Sequence, residues 1–174
     1  DFFHFLTLLP QNAITLDIGA NLGLMSYFLA SKSKLLFAIE PMPNNLNNLY
    51  KLKKHFKLDS LRILNYAVGN KNTEIELVLP IVKGVKKQGL SHVVDPKMEE
   101  FNEGKIVKAQ CYKLDDLSEI HNLKVDAIKI DVENFEYEVF KGAEKTLREH
   151  LPMIYCELWN NQNRIDCFNY LKGL

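Results

Sequence analysis

The chain has 174 residues, 47% of them apolar and 25% charged, and its 22 basic and 22 acidic side chains cancel. That length supports one domain with a core of its own, spanning residues 1–174, and is too short for two. The balanced charge leaves no basic stripe for a nucleic-acid backbone, and no apolar run nears the roughly 18 residues that a bilayer span needs. Cys111, Cys156 and Cys167 are odd in number and lack CxxC spacing. They suggest neither a disulfide framework nor a zinc site, so a reducing, cytoplasmic compartment is expected.

Residues 2–9 read as a short helix packing beside the first strand. This apolar start lacks the basic region and cleavage signature of a signal peptide, so it counts as part of the fold. It opens in mid-pattern at Asp1, and the other end is as abrupt, which is how a piece of a longer protein reads. Residues 13–27 (AITLDIGANLGLMSY) run as a strand into Asp17, turn through Gly19, Ala20, Asn21, Leu22 and Gly23, and enter a helix over 22–31 with Met25, Phe28 and Leu29 as candidate core residues. A glycine at a strand end admits positive φ and lets a ligand approach the backbone, and the first helical turn leaves unpaired N–H groups facing it. A dinucleotide fingerprint needs G-x-G-x-x-G. Here Asn21 replaces the second glycine and Gly23 arrives one position early. Asp17 would repel a pyrophosphate and attract an ammonium group, so the loop suits a ligand with a cation and no phosphate, as S-adenosylmethionine is. The alternative is that Gly19 and Gly23 only turn a strand into a helix.

Residues 34–40 (KLLFAIE) read as a second buried strand, and Glu40 stands about 20 residues past the glycine loop, where a ribose-binding carboxylate belongs. One carboxylate can accept both ribose hydroxyls. Pro41 and Pro43 end the strand and prepare a helix with Leu46, Leu49, Tyr50, Lys53 and Phe56 on one face and Asn44 or Asn45 near its N-cap. Residues 61–67 read as a third strand. Residues 73–79 (TEIELVL) alternate as a half-exposed strand does, and with 105–114 they would form an antiparallel excursion at one edge of the sheet. The connection between them is long enough to be a lid over an acceptor pocket, with Ser91 and His92 as its proton-handling residues. Lys83, Lys86 and Lys87 in it read as a solvated loop, and would equally suit an anionic acceptor.

Asp115 or Asp116 would cap a short helix beginning over 117–120, leaving the other free to reach the site. Residues 125–130 (VDAIKI) read as a buried strand ending in Asp131, Val132 and Glu133; alternation puts both acids on one side, at the sheet edge where open α/β sheets bind ligands. Two carboxylates so close do not both ionise without cost, so at least one is a candidate for a raised pKa. Phe135, Val139, Phe140, Ala143 and Leu147 continue as one core-facing helix, with Glu136 in its first turn suiting the helix dipole. Residues 153–158 (MIYCEL) form a fifth strand, which brings Glu157 to the same edge as Asp131, and 164–174 read as a further helix.

In order and spacing, LDIGANLGLMSYFLA, AIEPMPNNLNNL, LNYAVGN, LDDL, VDAIKIDVENFEYEVFKGAEKTL and PMIYCEL resemble the FkbM family of S-adenosylmethionine-dependent methyltransferases over nearly the whole chain. One departure is Asn134, where the family's DVEG segment has glycine; the amide side chain occupies space the family leaves open on the substrate side. The resemblance implies a doubly wound, mostly parallel α/β sheet of the class I, Rossmann-like methyltransferase type with an antiparallel strand excursion, and two more strands beyond the end of this chain. It implies that Asp17, Gly19, Ala20, Asn21 and Gly23 hold the amino-acid end of the cofactor, Glu40 and Pro41 the ribose, and Tyr66, Ala67 and Val68 the adenine. Asp131 then sits by the methyl group, Glu133 is the base, and Glu157 completes a rim of acids. The implied reaction is O-methylation of a hydroxyl on a sugar, polyketide or similar small molecule or glycan, with no nucleic acid or membrane as partner. Magnesium on Asp131, Glu157 and Asn160 is the less favoured reading of those acids, and no metal site is assigned. A catalytically weak cofactor-binding module is the second function class, and an NAD-linked oxidoreductase is disfavoured by Asn21 and Asp17.

Overall fold

The computed structural model describes residues 1–82, 85–86, 91–94 and 104–174. Lys83 and Lys87 lie outside the described residues, and Lys86 is described only in its strand placement. A parallel sheet forms the centre. It is wound from α1 (Phe2–Leu8), β1 (Ala13–Ile18), α2 (Leu24–Ala30), β2 (Ser33–Ile39), α3 (Pro43–Phe56) and β3 (Leu61–Leu64), and is completed by β9 (Ala127–Ile130) and β10 (Met153–Cys156). Its strand order is β10-β9-β1-β2-β3, with every pairing parallel.

Strand alternation divides the core between the two faces. Leu16, Ile18, Phe37, Ile39, Ile128 and Ile130 turn one way, onto Val139, Phe140, Leu147 and Cys167 from the helices that follow β9 and β10. Leu36, Ala38 and Ala127 turn the other way, onto Phe5, Leu6, Leu29 and Leu49 of α1, α2 and α3. Helices on both faces explain why these strands read as mostly apolar runs without a polar face. From β1 the chain winds outward through β2 to β3, and later returns on β1's other side with β9 and β10. The order therefore reverses between β1 and β9, and open α/β sheets bind ligands beyond the carboxyl ends of strands at such a point.

Several expectations from sequence are corrected. The third strand ends at Leu64, and Ala67–Val68 (β4) pairs instead with Cys111 and Tyr112. With β5 (Thr73–Val82), β6 (Val85–Lys86), β7 (His92–Val93) and β8 (Gly104–Tyr112) it builds a second sheet rather than an extension of the first. The antiparallel pairing of β5 with β8 is as expected. The N-cap of α3 is Met42, with Pro43 in the first turn; Asn45 lies inside the helix and is buried. Tyr50 and Phe56 of that helix stay exposed while Leu46 and Leu49 are buried.

The last two corrections share one cause. The helix expected from Phe135 to Leu147 is two, α4 (Glu136–Lys141) and α5 (Glu144–His150). At the break, Gly142 packs so close to the Gly69 carbonyl that a Cβ would meet its oxygen at 1.9 Å, and Asp115 N donates to the Gly142 carbonyl. The Asp115 carboxylate accepts from Lys145 N at 2.8 Å and Thr146 N at 2.9 Å. It thus caps α5 from far along the chain, and no helix forms over 117–120, where a 3-10 turn at Leu114–Asp116 comes first. Asp116 accepts from Asn72 on the surface. The final helix, α6 (Gln162–Lys172), is capped by Asn161. Among the described residues no helix is long and apolar enough to cross a membrane.

Removal of the Asp115 cap has a defined cost. Asp115→Ala should lower stability by about 1–2 kcal/mol, read as a shift in the urea midpoint at unchanged slope. A shift corresponding to less than about 0.3 kcal/mol would show that water replaces the cap.

Candidate functional site

Beyond the ends of β1, β2 and β9, three loops converge on one cavity, closed from the far side by β4 and β7. The β1 loop passes close to the β9 loop at Gly19, which has φ of +75° and where a Cβ would fall 1.9 Å from the Asp131 carbonyl oxygen. Asn21 follows with φ of +51°. Gly23, at the start of α2, also has positive φ, but its open side is filled by Leu49 of α3. Gly23 therefore serves helix packing and does not line the cavity. Ala20, buried with its N–H on the Ile39 carbonyl, does not line it either.

Glu40 joins two of the loops. It is 4% exposed, and its carboxylate accepts from Asn21 N and Met42 N, each at 2.8 Å. Burial raises its pKa, and these N–H groups together with the Asn45 amide oppose that rise. Pro41, Met42 and Asn45 continue the lining on this side, and Tyr66, Ala67 and Val68 line the wall that β4 provides. Tyr66 rests edge-on against Tyr112, and burial pushes its phenol pKa upward. His92, buried on β7, and Ser91 also face the cavity.

Asp17 is placed otherwise than the sequence suggests. It is fully buried, accepts a hydrogen bond from Ser26 and lies 3.0 Å from the Lys129 ammonium. Lys129 is the residue opposite Asp17 on the neighbouring strand. Its ammonium also donates to the Gly19 carbonyl at 2.7 Å and stands 3.7 Å from Asp131. Burial works against this charge, yet Asp17 and Asp131 outweigh it and hold the Lys129 pKa above its ordinary value. Asp17 is thus neutralised behind the loop, and Asp131, 28% exposed, is the carboxylate presented at the cavity.

After β9 the backbone takes two successive left-handed steps, Glu133 at φ +54° and Asn134 at φ +75°. Such a turn favours glycine, and asparagine tolerates it better than most residues. Buried Glu136 holds the turn by accepting from Val132 N and Asn134 N, and it accepts from Asn163 of α6 at 2.6 Å. The Asn134 side chain accepts from Asn161 at 2.7 Å and so points toward the start of α6. Glu133 lines the cavity, and its pKa is pushed up to about 7, by burial first and then by the charges of Asp131, Glu136 and Glu157. Glu157 itself is exposed beyond β10 and outside the cavity lining, so it acts on Glu133 only through its charge.

The structure thus gathers Gly19, Asn21, Glu40, Pro41, Tyr66, Ala67, Val68, Asp131 and Glu133, and leaves Asp17, Ala20, Gly23 and Glu157 off the lining. Sequence reasoning missed Lys129, whose one signal is a lysine inside an otherwise apolar strand, and Asn45, which read as a helix cap. Among the described residues, the side-chain oxygens of Asn21 and Asn45 are buried without a hydrogen-bond partner. Unpaired acceptors of this kind in a cavity suit a ligand that brings donors, as ribose hydroxyls and an ammonium group do. No group of three or more His, Cys, Asp or Glu side chains among the described residues could hold a metal ion.

Residues 17–167 match the family model described as the methyltransferase FkbM domain. The chain belongs to the FkbM methyltransferase family. This FkbM domain is similar in structure to the methyltransferase FkbM of Methylobacillus flagellatus KT, with a TM-score of 0.68 and 18% identity over 93% of this chain and 37% of that one. It also resembles a precorrin-6y C5,15-methyltransferase of Geobacter metallireducens GS-15 (TM-score 0.60, 14% identity, 99% of this chain and 69% of that one). A third likeness is to an rRNA methylase of Streptococcus thermophilus (TM-score 0.58, 11% identity, 99% and 76%). At these identities the likeness shows the fold, which is the class I, Rossmann-like methyltransferase fold. The domain spans 37% of the length of the Methylobacillus protein. No curated protein matches it.

Within the FkbM domain, removal of one partner from the buried pair leaves an uncompensated charge. Lys129→Met should destabilise by about 3–5 kcal/mol, measured by urea unfolding. A loss below about 1 kcal/mol would show that Asp17 is accommodated without Lys129.

Proposed function

We propose that the chain is an S-adenosylmethionine-dependent O-methyltransferase acting on a hydroxyl of a sugar, polyketide or similar metabolite. The observation that carries this reading is the position of Glu133, which lines the cavity on one side and a neighbouring groove on the other. A hydroxyl must give up its proton as its oxygen attacks, and a carboxylate with a pKa of about 7 suits that transfer near neutral pH. Carboxamides of Asn70, Asn134, Asn161, Gln162 and Asn163 border the groove. They both donate and accept hydrogen bonds, as hydroxyls do. The cavity would take the cofactor and the groove the acceptor, with Glu133 at their junction.

Bound in the cavity, S-adenosylmethionine supplies a methyl group on a sulfonium centre that is already electrophilic. The chain's own residues bind, orient and handle one proton. Glu40 and Pro41 would hold the ribose, and Tyr66, Ala67 and Val68 would border the adenine. Gly19 and Asn21 would meet the amino-acid end, with Asp131 in place of Asp17 as the carboxylate that attracts its cation. Glu133 would accept the hydroxyl proton, and the negative charge of Asp131 beside it keeps its proton affinity high. Exclusion of water by the cavity wall from β4 and β7 would strengthen these interactions.

Calorimetric titration with S-adenosylhomocysteine tests the cofactor part. Wild type should bind saturably, and Glu40→Ala should weaken binding about tenfold or more; a folded wild type that does not bind would overturn the reading. Methyl transfer from labelled donor to a panel of sugar and polyketide alcohols tests the reaction, and binding without turnover of any alcohol would leave only the non-catalytic module. With an acceptor in hand, kcat should fall as pH drops below about 7, because Glu133 works in its ionised form. Glu133→Gln should lower kcat by roughly 10²-fold or more while S-adenosylhomocysteine affinity stays within about twofold. A variant with unchanged kcat and pH profile would remove Glu133 as the base.

A further inference from the structure

We propose that Asn45 reads the ribose of the bound cofactor, its side-chain carbonyl accepting one of the two vicinal hydroxyls while Glu40 accepts the other. This inference rests on the cofactor reading above and adds to it a residue that sequence reasoning treated as a helix cap.

The argument is a count of acceptors around Glu40. An ionised carboxylate offers about four lone-pair positions. Met42 N occupies one on Oε1 and Asn21 N one on Oε2, each at 2.8 Å, and the Asn45 amide lies close enough to the same carboxylate to favour its charged form. A carboxylate only accepts, so it orients that amide with Nδ2 toward Glu40 and Oδ1 turned away from it. The N–H groups and the amide leave Glu40 at most about two positions, one if Nδ2 takes its place on the carboxylate. A vicinal diol brings two donors, and a second acceptor beside Glu40 lets both be satisfied.

Asn45 supplies that acceptor. It lies in the first turn of α3, is 3% exposed and lines the cavity. Its Oδ1 is buried with no hydrogen-bond partner among the described residues. An amide oxygen withdrawn from water and left unpaired is a standing cost to the fold, which a ligand hydroxyl removes. Asn21 also carries an unpartnered buried oxygen, but it stands half-buried on the glycine loop. Asn45 is packed into a helix and tied to Glu40 itself, so its carbonyl is held at a fixed place beside the carboxylate. Preorganised acceptors of this kind discriminate strongly against a ligand lacking the matching donor, because the buried group then stays unpaired.

The test is a calorimetric cycle with S-adenosylhomocysteine and its 2′-deoxy and 3′-deoxy analogues against wild type, Asn45→Ala and Asn45→Leu. Wild type should bind each deoxy analogue roughly tenfold more weakly than the parent, since both hydroxyls have acceptors. Asn45→Ala should bind the parent roughly tenfold more weakly than wild type does. For the one analogue that lacks the hydroxyl Asn45 accepts, the variant and wild type should agree within about twofold, and that agreement also shows that the variant is folded. Asn45→Leu keeps the branching at Cγ and should repeat the pattern, and the wild-type comparison stands without either variant. Equal affinity of wild type for the parent and either analogue overturns the inference, as does a variant that weakens all three ligands by the same factor, the signature of a role through Glu40 alone. Failure of wild type to bind the parent overturns the cofactor reading, and this inference with it.

Discussion

The buried pair of Asp17 and Lys129 is the contact on which the rest of the site depends. It lies at the reversal of strand order, where β1 and β9 run side by side with these two residues in register. Neither charge is tolerable there alone, since a single buried ion carries a desolvation cost that only a close, hydrogen-bonded partner offsets. The lysine is placed to satisfy more than one neighbour: its ammonium also donates to the Gly19 carbonyl and stands near Asp131. One cation thereby ties the strand pair, the glycine loop and the first acid of the β9 loop into a single arrangement. Of the two acids beside Lys129, the one that faces the cavity is Asp131, since Asp17 lies behind the loop.

Around that centre, backbone groups and carboxylates hold the loops against each other. Gly19 lets the β1 loop approach the β9 loop more closely than any side chain would allow, and Glu40 clamps the same loop to the start of α3 by accepting from Asn21 N and Met42 N. On the far side, Glu136 performs the equivalent task, binding the left-handed turn at Glu133 and Asn134 and reaching α6 through Asn163. The acids divide by environment. Glu40 and Glu136 are buried with N–H donors on their oxygens, whereas Glu133 has burial and three neighbouring carboxylates with little to stabilise its charge. The result is a group with its pKa raised to about 7 that lines both the cavity and the neighbouring groove.

Much of the fold was legible because it is written in local patterns. Mostly apolar runs at 13–18, 34–39 and 127–130 mark strands buried on both faces, and the glycine turn after β1 and Pro41 and Pro43 after β2 mark their ends. Asp131 and Glu133, expected on one side of the sheet edge, both line the cavity, but β9 ends at Ile130 and a left-handed step at Glu133 puts that residue there, not strand alternation. The misread elements are those whose partner is distant. Asp115 resembled the cap of the helix beside it and caps α5 instead. The run from Phe135 to Leu147 keeps helical spacing throughout, and only the close approach of Gly142 to Gly69 breaks it in two. Alternation in 61–67 could not show that the chain leaves one sheet at Leu64 and joins another at Ala67.

By itself the sequence determined the family, through the resemblance of its ordered motifs, and it determined the alternation of strands and helices and which residues stand at the strand ends, because hydrophobic period, glycine and proline act over a few residues at a time. Tertiary structure decided what each of those residues faces. Whether Asp17 meets a ligand or Lys129, whether Gly23 opens a cavity or seats Leu49, and whether Asn45 caps a helix or lies beside Glu40 all depend on sheet order and strand register. Those are set by contacts between segments far apart in the chain, where a side chain's nearest partner has no signature in its sequence neighbours.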